Sequence, residues 1–265
     1  MKHISRLFPA AALAAVFLAS GLSAACSGGG DPAKSAGTPG APEKRVDAAT
    51  AGSLTGTVKF EGTPPAPVPL RLSKDCVENA GPNPQSDAVL VSAGGGLKNV
   101  FVYVKDGLDP GYTFDAPAGP VELTQKGCIY SPRVLGVRVG QAIDVVNDDP
   151  TMHNVHALPM VNQEFNKSQT VQHSHMLHTF TAPEVMVKFM CNVHQWMASY
   201  VGVVAHPYFA VTDESGQFAL KNLPPGTYTI EAWHEKFGTQ TAKVTIGDKQ
   251  DQTQAFTFTA AKTDK

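Results

Sequence analysis

Short runs of β-branched and aromatic residues, each closed by Gly, Pro, Asn or Asp, fill this sequence from Ser53 onward and leave little room for helices. Residues 54–60, Leu-Thr-Gly-Thr-Val-Lys-Phe, alternate with the two-residue period of a half-buried strand and stop at Gly62 and the Pro64-Pro65 pair. A more apolar strand is expected over 99–104, between Gly94-Gly95-Gly96 and Asp106-Gly107. Further strands are expected over 134–139, 142–146, 179–180 and 185–190, with a helical turn or two allowed between Glu164 and His178. Residues 209–220 predict a hairpin that turns at Asp213-Glu214-Ser215-Gly216. Short, regularly spaced strands with turn chemistry between them predict an all-β chain of the sandwich type.

The N-terminus sets the compartment. Lys2 and Arg6 precede an apolar run over 7–19, too short for a stable membrane span, and small residues lead to Cys26. Residues 1–25 read as a secretory leader. They resemble a bacterial lipoprotein signal, which implies that Cys26 becomes the lipidated first residue; an ordinary leader cut before residue 26 is the alternative. Residues 26–52 are rich in Gly, Ser, Ala and Pro and form a flexible tether in this reading. A diacylated Cys26 would anchor the chain to the membrane, so the expected location is the periplasm. The net charge is only −2 and Lys and Arg are scattered, which speaks against nucleic acid as a partner.

The chemistry is concentrated in residues 189–197, Phe-Met-Cys-Asn-Val-His-Gln-Trp-Met. Cys191, His194 and Met197 share one tight loop at Cys-x-x-His-x-x-Met spacing. Thiolate suits Cu(I), imidazole suits both copper oxidation states, and a weak thioether can sit axially without forcing a square plane. The remaining ligand must come from elsewhere in the fold. Residues 147–155, Asn-Asp-Asp-Pro-Thr-Met-His-Asn-Val, supply His153 at the end of the strand over 142–146. A lone Cys or Met is more often a buried hydrophobe, and zinc competes for a Cys with two His. A Met at matching spacing favours copper.

Residues 129–204 resemble a cupredoxin: SPRVLGVRVGQAIDVVNDDPTMHNV matches the strands leading to the family's first His ligand, and CNVHQWM its short, amicyanin-like ligand loop. The resemblance implies a Greek-key sandwich over 116–205 and one type 1 copper held by His153, Cys191, His194 and Met197. Asn154 falls where the family has an Asn that ties the two ligand loops together. Separately, the pattern TD-x-x-G-x-F followed by LPPGTY, from Thr212 to Tyr228, resembles the carboxypeptidase regulatory-like family. It implies a second, transthyretin-like β-sandwich over 206–262. Residues 53–115 could be the first half of that sandwich, with the copper segment inserted; two consecutive modules are the alternative.

An exported protein can form disulfides. With Cys26 lipidated and Cys191 on the metal, Cys76 and Cys128 remain to pair. Three protein ligands and an axial Met leave no open metal position, so electron transfer is expected rather than catalysis. His194 and Trp196 would form the edge that meets a redox protein such as a cytochrome or dehydrogenase. The alternative is a copper-binding or delivery lipoprotein. There His156, His173, His175 and His178, with Met152, Met160 and Met176, would form a looser second site, although a solvated loop is the simpler reading. His206 and His234 sit in the regulatory-like part with no spacing that marks a role. A third reading makes the second sandwich an adhesive module and the copper incidental.

Overall fold

The structure, a computed structural model, describes residues 43–260. The leader over 1–25, Cys26 and most of the tether lie outside the described residues. Among the described residues no helix is long and apolar enough to cross a membrane. The chain opens with β1 (Gly52–Glu61), a single helical turn α1 (Lys74–Val77) and β2 (Phe101–Asp106). Nine strands follow: β3 (Val121–Lys126), β4 (Ile129–Ser131), β5 (Val134–Arg138), β6 (Ala142–Asn147), β7 (His153–Leu158), β8 (Phe165–Gln169), β9 (Ser174–Thr179), β10 (Glu184–Met190) and β11 (Ala198–Val204). The last five are β12 (Phe209–Val211), β13 (Gln217–Leu223), β14 (Gly226–His234), β15 (Gly238–Ile246) and β16 (Asp251–Thr259).

The fold is all-β. Strands β3 to β11 make two sheets, ordered β5-β11-β10-β7-β8 and β4-β3-β6-β9. Their inward residues, among them Leu123, Tyr130, Val145, Phe189 and Val201, form one buried core that also contains Cys191 and Met197. The strands on either side in sequence join each other in two further sheets, β13-β1-β16 and β12-β2-β14-β15. A second core of Leu54, Val58, Val102, Ile230 and Phe256 lies between these. The central sandwich is therefore an excursion between β2 and β12 of an outer sandwich.

Two local expectations change in the structure. Residues 209–220 do not form a hairpin. β12 pairs with β2 and β13 pairs with β1, so the chain turns at Asp213 and crosses from one sheet to the other. Alternation told which residues face a core, but both sheets face the same core, so it could not tell which sheet each strand joins. The segment between Glu164 and His178 holds no helix; β8 and β9 occupy it, and β9 runs antiparallel to β6 from Ala142↔Thr179 to Asn147↔Ser174. β9 is an edge strand with Met176 and His178 turned inward and His175 and Leu177 outward. Its polar residues hid a strand whose hydrogen bonds are made on one side only.

The two sandwiches are joined by aromatic packing and one buried ion cluster. Gly202 and Gly136 are register partners on β11 and β5, and together they leave a flat place on the central sheet. A Cβ on Gly202 would come within 2.3 Å of the Phe101 ring, and one on Gly136 within 2.4 Å of Phe209. Tyr200 and Trp233 meet beside them at 5.1 Å between ring centres. Arg133 donates to both carboxylate oxygens of Glu235, at 2.7 and 2.9 Å, and to Asp87 at 2.9 Å. A fork this well matched satisfies a buried guanidinium, and removing Arg133 would leave the buried Glu235 carboxylate without a counter-charge.

His234 shows what such burial does to a titratable ring. It is 1% exposed, stacks on Phe237 at 4.6 Å, and its Nδ1 accepts the backbone N–H of Lys236 at 3.2 Å. Burial drives its pKa down to about 4. The unfolded chain, near 6.5, then binds the proton first, so this residue's contribution is complete above about pH 6.5 and is lost as pH falls toward 4. From pH 7 to pH 5 the free energy of urea unfolding is expected to fall about 2 kcal/mol further for the natural protein than for His234→Phe. Parallel slopes for the two proteins would contradict this.

Candidate metal centre

The site forms where β7 begins and where the loop from β10 to β11 turns back. The route into β7 is fixed by Asn147, whose Nδ2 donates to the carbonyls of Thr151 at 3.0 Å and Gln169 at 3.3 Å. Its Oδ1 accepts the Asp149 N–H at 3.0 Å, closing an Asx-type turn that delivers His153 into the sandwich. The other loop is closed by its own backbone, with the Met197 N–H on the His194 carbonyl at 2.9 Å. Asn154 ties the two together: its Oδ1 accepts the Asn192 N–H at 3.1 Å.

Three donor atoms converge. His153 Nδ1 and His194 Nδ1 lie 3.0 Å apart, and Cys191 Sγ is 3.8 Å from His194 Nδ1. All three residues are 0% exposed, and their donor atoms lie within 4.8 Å of one another. Met197, 1% exposed, belongs to the same buried cluster as Cys191. The sulfur accepts two backbone N–H groups, from Asn154 at 3.3 Å and His194 at 3.4 Å. Burial opposes ionising the Cys191 thiol, but His153 and these amides outweigh it and hold its pKa below the ordinary thiol value. Thiolate is the form that binds metal.

The far nitrogens of both rings are occupied by carboxylates. His153 Nε2 meets Asp149 Oδ2 at 2.8 Å, and His194 Nε2 meets Asp75 Oδ2 at 3.1 Å. Asp149 is itself pinned by the N–H groups of Gly127 at 2.7 Å and Cys128 at 2.8 Å. Burial pushes the Asp149 carboxyl up, yet His153 and these two amides hold it below its ordinary value. For His153, burial disfavours the charged ring, while Asp149 and Cys191 more than offset it and raise its pKa. The Asp75 carboxyl, beside the Ser73 and Thr151 hydroxyls and the His194 ring, is held at about 2.

These contacts test whether the residues fit a metal. Donating Nε2–H to a carboxylate leaves the Nδ1 of a neutral ring free to accept, and the two Nδ1 atoms face each other 3.0 Å apart in a buried space beside the Cys191 sulfur. A cation placed between them, a shared proton or a metal ion, satisfies both nitrogens at once. The donor set of one thiolate, two imidazoles and a nearby thioether suits copper better than zinc. The residues fit.

The structure also joins Cys76 to Cys128 in a disulfide with a Cα–Cα distance of 5.7 Å. Cys128 lies in the two-residue turn between β3 and β4, where Gly127 and Cys128 both take positive φ, 65° and 56°. Such mirror-type turns match the twist of a hairpin. The sulfurs of this pair come within 4.8 Å of a His194 nitrogen. They are spent on each other, so they are neighbours of the site and not part of its donor set.

One expectation is overturned. His194 is not an open edge: its ring is fully buried under Asp75, a residue of α1, and Trp196 is half-buried with its Nε1–H on the Cys128 carbonyl at 2.8 Å. The sequence placed His194 on a loop but gave no sign that a distant segment folds over it. Among the described residues the other histidines do not gather. His156, on β7, bonds Asn192 at 3.0 Å and Glu164 at 2.7 Å. His173 and His175 are exposed against Asp148 and Asp144, and His178 stacks on Phe165 at 4.0 Å. His206 bonds the Val104 carbonyl at 2.9 Å, and His234 lies in the outer core. Sequence reasoning missed Asp75 and Asp149, whose only sign was adjacency, one before Cys76 and the other four before His153.

Residues 200–259 match the carboxypeptidase regulatory-like domain. No similar sequence was found among curated proteins. Among solved structures, a purple cupredoxin from Nitrosopumilus maritimus is 22% identical, with 31% of this chain and 98% of that chain covered and a TM-score of 0.28. A copper-containing nitrite reductase from Thermus scotoductus SA-01 is 23% identical over 37% of this chain and 25% of that chain, with a TM-score of 0.29. A reduced amicyanin variant is 20% identical over 38% of this chain and 97% of that chain, with a TM-score of 0.29.

Proposed function

We propose that this chain is a single-copper electron carrier, in which His153, Cys191 and His194 would be the principal residues holding the ion and Met197 would be a weaker fourth donor. The observation that carries the reading is the convergence of one buried thiol and two buried imidazole nitrogens within 4.8 Å. Copper bound there would supply a one-electron couple between Cu(II) and Cu(I). The chain's own residues do the rest. The two amides on Cys191 Sγ spread the thiolate charge, and the carboxylates on each Nε2 fix ring orientation and tautomer. Two β-sheets and a tied pair of loops hold the donors rigid, so little has to move when the charge changes. With Met197 as a fourth donor, a copper ion held there would have no open position for a substrate, which favours a carrier over an enzyme.

In this reading the chain works in the periplasm, lipid-anchored through Cys26, and exchanges electrons with a redox protein such as a cytochrome or dehydrogenase. Small, weak interfaces are typical of such encounters.

Adding Cu(II) to the purified protein and recording visible absorption, reduction potential and exchange with a chelator tests this. The expected result is intense thiolate-to-copper absorption, a reversible one-electron couple and slow loss of the ion. Colourless, rapidly exchanging copper would mean delivery instead.

A further inference from the structure

The roof over His194 comes from outside the central sandwich. Asp75 and Cys76 lie on α1, in the excursion between β1 and β2 of the outer sandwich. Asp75 Oδ2 takes the Nε2–H of His194 at 3.1 Å and the hydroxyl of Thr151 at 2.9 Å, so it touches both segments that carry ligands. The adjacent Cys76 is bonded to Cys128, whose backbone N–H holds the carboxylate on the other ligand histidine. One covalent link thus fixes the residues that place a carboxylate on the far nitrogen of each ring. The Asp75 side chain is 48% exposed, yet the His194 side chain beneath it is only 1% exposed.

We propose that Asp75 is a positioning residue for the metal centre: held down by the Cys76–Cys128 link, it fastens His194 through Nε2, keeps that ligand in place and biases bound copper toward Cu(II). The proposal rests on the copper reading above. A hydrogen-bonded carboxylate makes the imidazole a stronger donor, and its negative charge favours the more positive oxidation state. Loss of an outer hydrogen-bonding partner typically lowers metal affinity 10–100-fold.

The experiment uses the full-length, copper-loaded protein and three variants. Asp75→Ala removes charge and acceptor; Asp75→Asn removes the charge but keeps an acceptor oxygen for His194. Glu78→Gln removes an exposed charge three residues away that touches no ligand. Reduction potential and the rate of copper loss to a chelator are measured for each, with visible absorption as a check on the site. Asp75→Ala is expected to lose copper about tenfold faster. Its Cu(II)-to-Cu(I) affinity ratio is expected to fall about tenfold, a rise in potential of about 59 mV for one electron. Asp75→Asn should raise the potential while keeping copper loss nearer the natural rate, and Glu78→Gln should change neither. Outright loss of copper from Asp75→Ala, with an unchanged melting curve for the metal-free protein, is the same result carried further. A coloured Asp75→Ala with natural potential and natural loss rate overturns the proposal. A natural protein that takes up copper without any thiolate colour overturns the copper reading itself, and the two failures are distinct.

Discussion

Cys191→Ser is expected to abolish the thiolate-to-copper absorption entirely and to weaken copper binding by at least about 100-fold, the upper end of what losing a mere outer partner costs. The argument starts from the sulfur's surroundings. Cys191 is 0% exposed, faces two ring nitrogens and accepts two amide N–H groups, and these contacts lower its pKa against the effect of burial. A serine hydroxyl fits the space and can accept the same amides, but it stays protonated and is a hard donor that suits Cu(I) poorly. The metal-free fold should lose only about 1–2 kcal/mol, the usual cost of placing a hydroxyl in an apolar site with some hydrogen bonding kept. Copper titration followed by absorption separates the two effects. Retained colour in Cys191→Ser would place the thiolate elsewhere.

Replacing Cys76 and Cys128 together by alanine is expected to destabilise the protein by about 4 kcal/mol. The two residues are separated by 52 positions, and releasing a loop of that length returns substantial entropy to the unfolded chain. Both are 0% exposed and pack in the central core, so truncated sulfurs also leave unfilled volume. Because Cys128 sits at φ 56°, a conformation that favours glycine, the Cys76→Ala, Cys128→Gly pair should recover a fraction of the loss. Urea unfolding of the metal-free proteins measures this. A change below about 1 kcal/mol would mean that the link constrains little that the sandwiches do not already fix.

How much of this was legible in the sequence depends on the distance over which each signal acts. Period-two alternation marked β1, and short β-branched or aromatic runs closed by turn residues marked β2, β6 and β10, because a buried strand writes its burial into neighbouring residues. The Cys191, His194 and Met197 spacing was equally local, since one turn of chain carries all three. The polar turn before His153 was visible for the same reason. Contacts made by the fold were not. Asp75 lies in an irregular excursion with no period to read, and nothing near it in the chain says that it will meet His194. Asp149 looked like an ordinary turn residue, and only the Gly127-Cys128 amides reveal it as the partner of His153. The turn at Asp213 was readable, but the sheet change across it was not, because two strands facing one core share the same alternation.

X-ray absorption spectroscopy of the copper-loaded protein tests the metal centre most directly, because it reports which atoms surround the ion without assuming any function. The expected first shell contains one short copper–sulfur bond and two imidazole nitrogens, with the sulfur lost in Cys191→Ser and one nitrogen lost in His153→Ala. A shell of nitrogen and oxygen alone, unchanged in both variants, would show that copper binds elsewhere and that the buried triad does not hold it.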